Sequence, residues 1–93
     1  MITAIVLVQA EADSLPEVAQ AIADIDGVSE VYSCAGDVDL IAIIKVLAHE
    51  ELAEIVPNRI NKVPGVINTD THIAFRSYSR ADTEAAFDIG LES

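Results

Sequence analysis

The residues that could do chemistry are concentrated in two short polar segments, AGDVD (35–39) and NTDTH (68–72). A zwitterionic small molecule needs hydrogen-bond donors for its carboxylate and acceptors for its ammonium group. A turn with free backbone N–H and C=O groups offers both, and a glycine lets a ligand approach the backbone closely. Aspartate carboxylates and threonine hydroxyls can add orienting contacts. Both segments are therefore candidate binding loops, although a solvated hairpin turn uses the same residue types.

Catalytic and metal-binding interpretations have less support. Cys34 and His72 are a nucleophile and a base by type, but no acidic residue stands at a spacing that would orient the histidine. Small buried cysteines are common, and His72 would be a haem or metal ligand only in an enzyme of related fold. Asp37, Asp39 and Asp70 could form a cation site, but aspartates in turns are usually solvated. We therefore predict no catalytic residue, no metal site and no cofactor.

The composition excludes several classes of partner. The chain has 93 residues, of which 52% are hydrophobic, and a formal net charge of −11 with only five lysines and arginines. Nucleic-acid binding depends largely on basic side chains, so direct binding of DNA or RNA is not expected, nor is binding to an anionic membrane. A single cysteine excludes an intrachain disulfide framework. The sequence has no basic leader and no run near the roughly 20 apolar residues of a membrane span, so we expect a cytoplasmic protein.

The spacing of apolar residues predicts the order strand, helix, strand, strand, helix, strand. The strands are expected at 2–10, 28–36, 38–48 and 66–79, and the helical segments at 13–27 and 49–65. Ser14 and Glu17 have the spacing of a capping box at the start of the first helix. Pro57 interrupts the second helix, which we expect to be kinked near residues 53–57 or divided into two shorter pieces.

An internal repeat supports this order of elements. A shift of 38 residues aligns Ala4 with Ala42, Ile5 with Ile43, Val8 with Val46, Ala10 with Ala48, Ile22 with Ile60, Gly27 with Gly65, and Val28 with Val66. Two similar halves predict an α+β, ferredoxin-like β-α-β-β-α-β fold, with a four-stranded antiparallel sheet and two helices on one face. We place this domain at residues 1–79, followed by a short C-terminal helix or tail at 80–93.

The sheet is expected to be apolar on both faces. The first strand places Ile2, Ala4, Val6 and Val8 on one face and Ile5 and Leu7 on the other. The third strand places Leu40, Ala42, Ile44 and Val46 on one face and Ile41, Ile43 and Leu47 on the other. Because two helices cover only one face, we expect the second face to pack against another copy in a two-fold dimer. A helix from the C-terminal tail is the alternative cover for that face.

Two stretches carry a resemblance to a known family, namely VSEVYSCAGDVDLIAIIKV (28–46) and ELAEIVPNRINKVPGVINTDTHIAF (51–75). The most specific pieces are the V-x-x-V-Y strand, the Gly36-Asp37-x-Asp39 turn, the V-P-G-V at 63–66 and the T-x-T-H-I at 69–73. From about residue 2 to residue 76 the chain resembles the effector-binding (RAM) domain of the Lrp/AsnC transcription regulators.

The resemblance implies a domain that dimerises through its sheets as a dimeric α/β barrel and often assembles further, into octamers of four dimers. It also implies that amino acids or similar metabolites bind between dimers, with the Gly-Asp turn bordering the pocket. The ligand-binding residues implied for this chain are Gly36, Asp37, Val38 and Asp39, with Thr69 and Thr71.

Full-length members of that family also carry an N-terminal helix-turn-helix, whereas this chain begins at the first strand. We therefore expect a stand-alone, non-enzymatic sensing domain that modulates transcription through a partner, such as a full-length Lrp/AsnC-type regulator. One alternative is a dimeric-barrel enzyme, monooxygenase-like, with a polar cavity around His72 or Tyr32. Another is an oligomerisation module that binds no ligand.

Overall fold

A computed structural model describes residues 1–78 and Arg80 of the chain. The elements are β1 (Ile2–Ala10), α1 (Leu15–Ala23), β2 (Val28–Ser33), β3 (Leu40–Val46), α2 (His49–Asn58) and β4 (Val66–Ala74), with 3-10 turns at Ala12–Ser14 and Ile60–Lys62. The sheet has the order β2-β3-β1-β4, and every neighbouring pair is antiparallel. The predicted ferredoxin-like α+β fold is confirmed.

The core lies between the two helices and one face of the sheet. The central strands β1 and β3 turn alternate residues toward the helices, as the period of two requires. The strand residues with no exposed surface are Ala4, Val6, Val8, Leu40, Ala42 and Ile44, and the helices and the second 3-10 turn add Val18, Ile22, Leu52, Ile55 and Ile60. Burying each large aliphatic side chain contributes about 1.5–3 kcal/mol, so this layer is the main source of stability.

The repeated glycines have the same role in both halves of the chain. Gly27 and Gly65 both have φ of +98°, a region that favours glycine. A Cβ on Gly27 would lie 2.5 Å from Cδ1 of Ile55 on α2, and a Cβ on Gly65 would lie 2.7 Å from Cγ2 of Val18 on α1. Each glycine therefore lets the turn before an edge strand approach the helix of the other half.

The capping box predicted at Ser14 and Glu17 is wrong. Ser14 is the N-cap of α1 but makes no side-chain cap, and its hydroxyl donates instead to the Glu11 carbonyl at 3.4 Å. The reason is the 3-10 turn before α1, in which the Ser14 N–H also donates to the Glu11 carbonyl. At α2 it is the Glu51 carboxylate that caps, by accepting from the backbone N–H groups of Leu47 and Ala48 at 2.8 and 3.0 Å.

Pro57 lies in the last turn of α2, and the second helical segment is divided. The helix ends at Asn58, and a separate 3-10 turn follows at Ile60–Lys62. The Arg59 N–H still donates to the Ile55 carbonyl at 3.2 Å, so the backbone stays helical through Pro57 and the helix ends one residue later. Of the two predicted arrangements, a kinked helix or two shorter helical pieces, the structure has the second.

Three strands are shorter than predicted. The expected 28–36, 38–48 and 66–79 are observed as Val28–Ser33, Leu40–Val46 and Val66–Ala74. The third strand ends early because the next two N–H groups bind the Glu51 carboxylate, and Leu47, expected on the second face of the sheet, is 78% exposed beyond the strand. The helix or tail predicted at 80–93 lies outside the described residues except for Arg80. Within the part of the chain that is described, no helix has the length and apolar character needed to cross a membrane.

Candidate functional site

The loop between β2 and β3, residues 34–39, is closed by backbone hydrogen bonds at its base. The Cys34 N–H donates to the Asp39 carbonyl at 2.9 Å, and the Asp39 N–H donates to the Val8 carbonyl of β1 at 3.0 Å. Gly36 at the tip has φ of +140°, and no heavy atom lies within 4 Å of the position that a Cβ would take. Glycine is therefore required here by backbone conformation, and the backbone at the tip is open to solvent.

Asp39 anchors the loop with its side chain. Its Oδ2 accepts from the Ala10 backbone N–H at 2.9 Å, where the pairing of β1 with β4 shifts register between Gln9 and Ala10. The Gln9 side-chain amide donates to the Asp37 carbonyl at 3.3 Å and adds a second link. One oxygen of the Asp39 carboxylate is thus engaged within the protein, whereas the Asp37 side chain is exposed.

Thr69 and Thr71 are alternate residues on β4 and lie on the side of the sheet that carries the helices. Thr69 pairs with Val8 and Thr71 with Val6. The Thr69 hydroxyl donates to Oδ1 of Asn61 at 2.6 Å and ties β4 to the second 3-10 turn, whereas Thr71 is exposed. Thr71 therefore presents a hydroxyl to solvent, and Thr69 has a structural contact.

The predicted residues lie at one end of the sheet without enclosing a pocket. Val8 of β1 lies between the loop and β4. Its carbonyl accepts from the Asp39 N–H on one side, and it pairs with Thr69 on the other. The loop and β4 are thus two strand spacings apart, about 10 Å. Two surface cavities are lined by Asp26, Glu51, Glu54, Ile55 and Arg59, and by Met1, Thr3, Ala74, Phe75, Arg76 and Ser77. Neither contains a predicted site residue.

The free face, defined as the side of the sheet opposite the helices, has apolar residues at its centre and polar residues at its edges. Its centre is formed by Ile5 and Leu7 of β1 and Ile41 and Ile43 of β3, all half-buried. The edge strand β2 adds Glu30 and Tyr32, and the edge strand β4 adds Asp70 and His72. The sequence predicted the apolar centre but not these polar edges.

Both edges carry an internal polar pair. His72 Nε2 lies 3.1 Å from Asp70 Oδ2, so the expectation that no acidic residue is placed to orient the histidine is wrong. The Tyr32 hydroxyl donates to the Glu30 carboxylate, and that hydrogen bond, with the nearby negative charge, raises the pKa of Tyr32. His72 and Tyr32 lie on opposite edges, three strand spacings or about 14 Å apart. Neither residue lines the two cavities described above.

Cys34 and His72 are not in contact with each other either. Cys34 follows the edge strand β2, and its thiol contacts the Tyr32 carbonyl at 3.7 Å, while His72 lies on the other edge. Over residues 1–78 and Arg80, no cluster of three or more histidine, cysteine or acidic side chains is arranged to hold a metal ion.

Comparisons with known proteins show the family of the chain and support its fold. The Lrp/AsnC ligand binding domain matches residues 3–83. An uncharacterized HTH-type transcriptional regulator of Pyrococcus furiosus is 37% identical over 76 residues, which are 78% of this chain and 51% of that protein. The crystal structure of TTHA0845 from Thermus thermophilus has 40% identity and a TM-score of 0.80, over 86% of this chain and 100% of that one. A feast or famine regulatory protein from M. tuberculosis, complexed with L-methionine, has 22% identity and a TM-score of 0.68, over 86% of this chain and 54% of that one, and so shows a similar fold only.

The fold and the matches define a ferredoxin-like ligand-binding domain of the kind found in transcription regulators. The chain belongs to the Lrp/AsnC family, whose ligand-binding domain it contains. It spans about half the length of the curated relatives it matches.

Proposed function

We propose that this chain is a non-enzymatic sensor of an amino acid or a similar small metabolite, which self-associates through the free face. It acts on transcription through a partner regulator of the Lrp/AsnC type that carries the DNA-binding domain. The binding residues in this proposal are Gly36, Asp37, Val38 and Asp39, with Thr69 and Thr71.

The observation that carries the proposal is the geometry of the loop at residues 34–39. The loop is held at its base by Asp39, and at its tip Gly36 is exposed, with no non-neighbouring atom within 4 Å of the position that a Cβ would take. A rigid loop with exposed backbone groups suits a ligand that carries both a carboxylate and an ammonium group. The L-methionine bound to the regulator from M. tuberculosis is a ligand of this chemistry.

One protomer leaves the loop exposed, and Thr69 and Thr71 lie on the helical side of the sheet, so in this proposal a protomer of another dimer completes the pocket. A ligand held between copies stabilises whichever assembly contacts it best, by the difference in its affinity for the two states and no more. In this proposal, ligand binding changes the assembly of the chain and thereby its association with the partner regulator. Further assembly into an octamer of four dimers is part of the same proposal.

Thermal unfolding with each of the standard amino acids, starting with L-methionine, tests the sensor. At a ligand concentration ten times Kd the free energy of unfolding rises by about 1.4 kcal/mol, which raises Tm by about 6–11 °C in a domain of this size. Asp37→Asn and Thr71→Val change exposed side chains of the proposed site and are expected to remove most of that shift. Asp13→Asn, an exposed aspartate before α1, is the matched control and is expected to keep it. If no amino acid at millimolar concentration raises Tm, the proposal of an amino-acid sensor is wrong.

A further inference from the structure

The register of the sheet places the polar edges and the apolar centre of the free face in two straight rows. One row runs His72–Ile5–Ile43–Glu30 across β4, β1, β3 and β2, and the neighbouring row runs Asp70–Leu7–Ile41–Tyr32. Each row has two aliphatic residues between two polar ones. A second copy that covers the aliphatic centre must therefore also cover, or lie against, the polar ends.

Two sheets that pack face to face with their strands aligned are related by a two-fold axis that runs either along or across the strands. If the axis runs along the strands, β4 lies over the partner's β2, and His72 lies over Glu30 of the second copy. If the axis runs across the strands and passes between the two rows, β4 lies over the partner's β4 in the opposite direction, and His72 lies over Asp70 of the second copy. Sheets pack about 10 Å apart with a rotation near 30°, which side chains of this length can bridge. In both arrangements His72 meets a carboxylate.

The other charged groups on the free face cannot take this role. On β4 the neighbour of His72 is Asp70, and β1 presents only Thr3, Ile5 and Leu7 beside it. Farther across, β3 presents Lys45 and β2 presents Glu30 and Tyr32. Arg76 and the Met1 amino group lie beyond the strand ends, outside the two rows.

We propose that His72 makes the self-association of this chain pH-dependent, because the protonated imidazole donates to a carboxylate of the second copy. The inference rests on the proposed sheet-to-sheet dimer. A charge-assisted hydrogen bond is stronger than a neutral one, and the two-fold axis repeats the contact. When the imidazole loses its proton, the carboxylate remains buried in the interface without a cationic partner. A buried charge without a partner is unfavourable, so the dimer is weaker.

Sedimentation equilibrium of the full chain tests this inference. The dimer dissociation constant is expected to fall about tenfold from about pH 8 to about pH 6. His72→Gln keeps a hydrogen-bonding side chain but does not titrate, so its dissociation constant is expected to change less than twofold. His49→Gln replaces the only other histidine, which is exposed at the start of α2 on the helical side, and is expected to behave like the original chain.

The outcomes separate this inference from the proposed dimer. A dimer whose dissociation constant is the same at both pH values overturns the role of His72 and leaves the dimer standing. The same holds if His72→Gln retains the pH dependence. A monomer at every pH overturns both. Glu30→Gln then identifies the axis, because it removes the pH dependence only if β4 lies over the partner's β2.

Discussion

At the scale of single residues, Asp39 joins the loop between β2 and β3 to the end of β1. Its carboxylate accepts from the Ala10 N–H at 2.9 Å in a part-buried position. Asp39→Ala leaves that N–H without its acceptor, and we expect the free energy of unfolding to fall by about 1–2 kcal/mol in urea denaturation. Asp37→Ala is the matched control, since that side chain is exposed, and should change it by less than about 0.5 kcal/mol. Equal losses in the two variants would contradict an anchoring role for Asp39.

Tyr32 offers a second test at this scale. The hydrogen bond to Glu30 and the negative charge of that carboxylate both disfavour the tyrosinate and raise the pKa of Tyr32. This pair therefore stabilises the fold below the ordinary tyrosine pKa, and its contribution is lost as the pH rises through the raised pKa. Glu30→Gln removes the charge, so the pKa of Tyr32 is expected to fall.

The ultraviolet absorbance of the tyrosinate measures that pKa. The titration is carried out in a Tyr78→Phe background, which leaves Tyr32 as the one tyrosine of the chain. A Tyr32 pKa that stays the same or rises in Glu30→Gln would show that the pair does not form in solution.

At the scale of elements, the turns before β2 and β4 depend on glycine for two reasons. Gly27 and Gly65 have positive φ, and a Cβ on either would lie within 2.7 Å of a side chain from a helix. Gly36 also has positive φ but has open space around it. We expect alanine at position 27 or 65 to cost more than about 2 kcal/mol of unfolding free energy, and alanine at position 36 to cost about 1 kcal/mol. Thermal or urea unfolding of the three variants ranks their losses of unfolding free energy. An equal loss at all three positions would mean that the close contact with a helix does not add to the cost of a Cβ at positions 27 and 65.

The elements themselves were predictable from the sequence, but several of their ends were not. The alternation of apolar residues in β1 and β3 and their helical spacing in α1 and α2 follow from the need to bury one face of each element. Such a pattern can be recognised from consecutive residues. The ends depend on which acceptor a backbone N–H finds. The Glu51 carboxylate accepts from the N–H groups of Leu47 and Ala48, and the Ser14 hydroxyl donates to the Glu11 carbonyl. Residue type alone predicts neither hydrogen bond.

The candidate site was predictable to the same degree. Residue types predicted an open glycine turn at Gly36, which the structure has. The contacts of Asp39 with Ala10 and of Thr69 with Asn61 join residues 29 and 8 positions apart, and they follow only from the folded arrangement. The polar edges of the free face were missed for the same reason, because a row across four strands depends on three registers at once.

At the scale of the whole molecule, the free face is the feature that a single copy leaves uncovered. Its four central aliphatic residues, Ile5, Leu7, Ile41 and Ile43, remain half-buried in one protomer. Ile43→Glu places a like charge at the centre of both copies, so we expect a folded monomer by circular dichroism and sedimentation. Ala21→Glu adds the same charge on the exposed side of α1 and is expected to leave the assembly unchanged. Loss of assembly in both variants would place the interface elsewhere.

Ligand-dependent self-association is tested most directly by the molar mass of the chain, measured by light scattering at micromolar concentration with and without L-methionine and the other standard amino acids. We expect a dimer or a larger even multiple of the 9.9 kDa protomer, and a distribution of assemblies that at least one amino acid changes. A mass of one protomer under every condition would contradict this expectation.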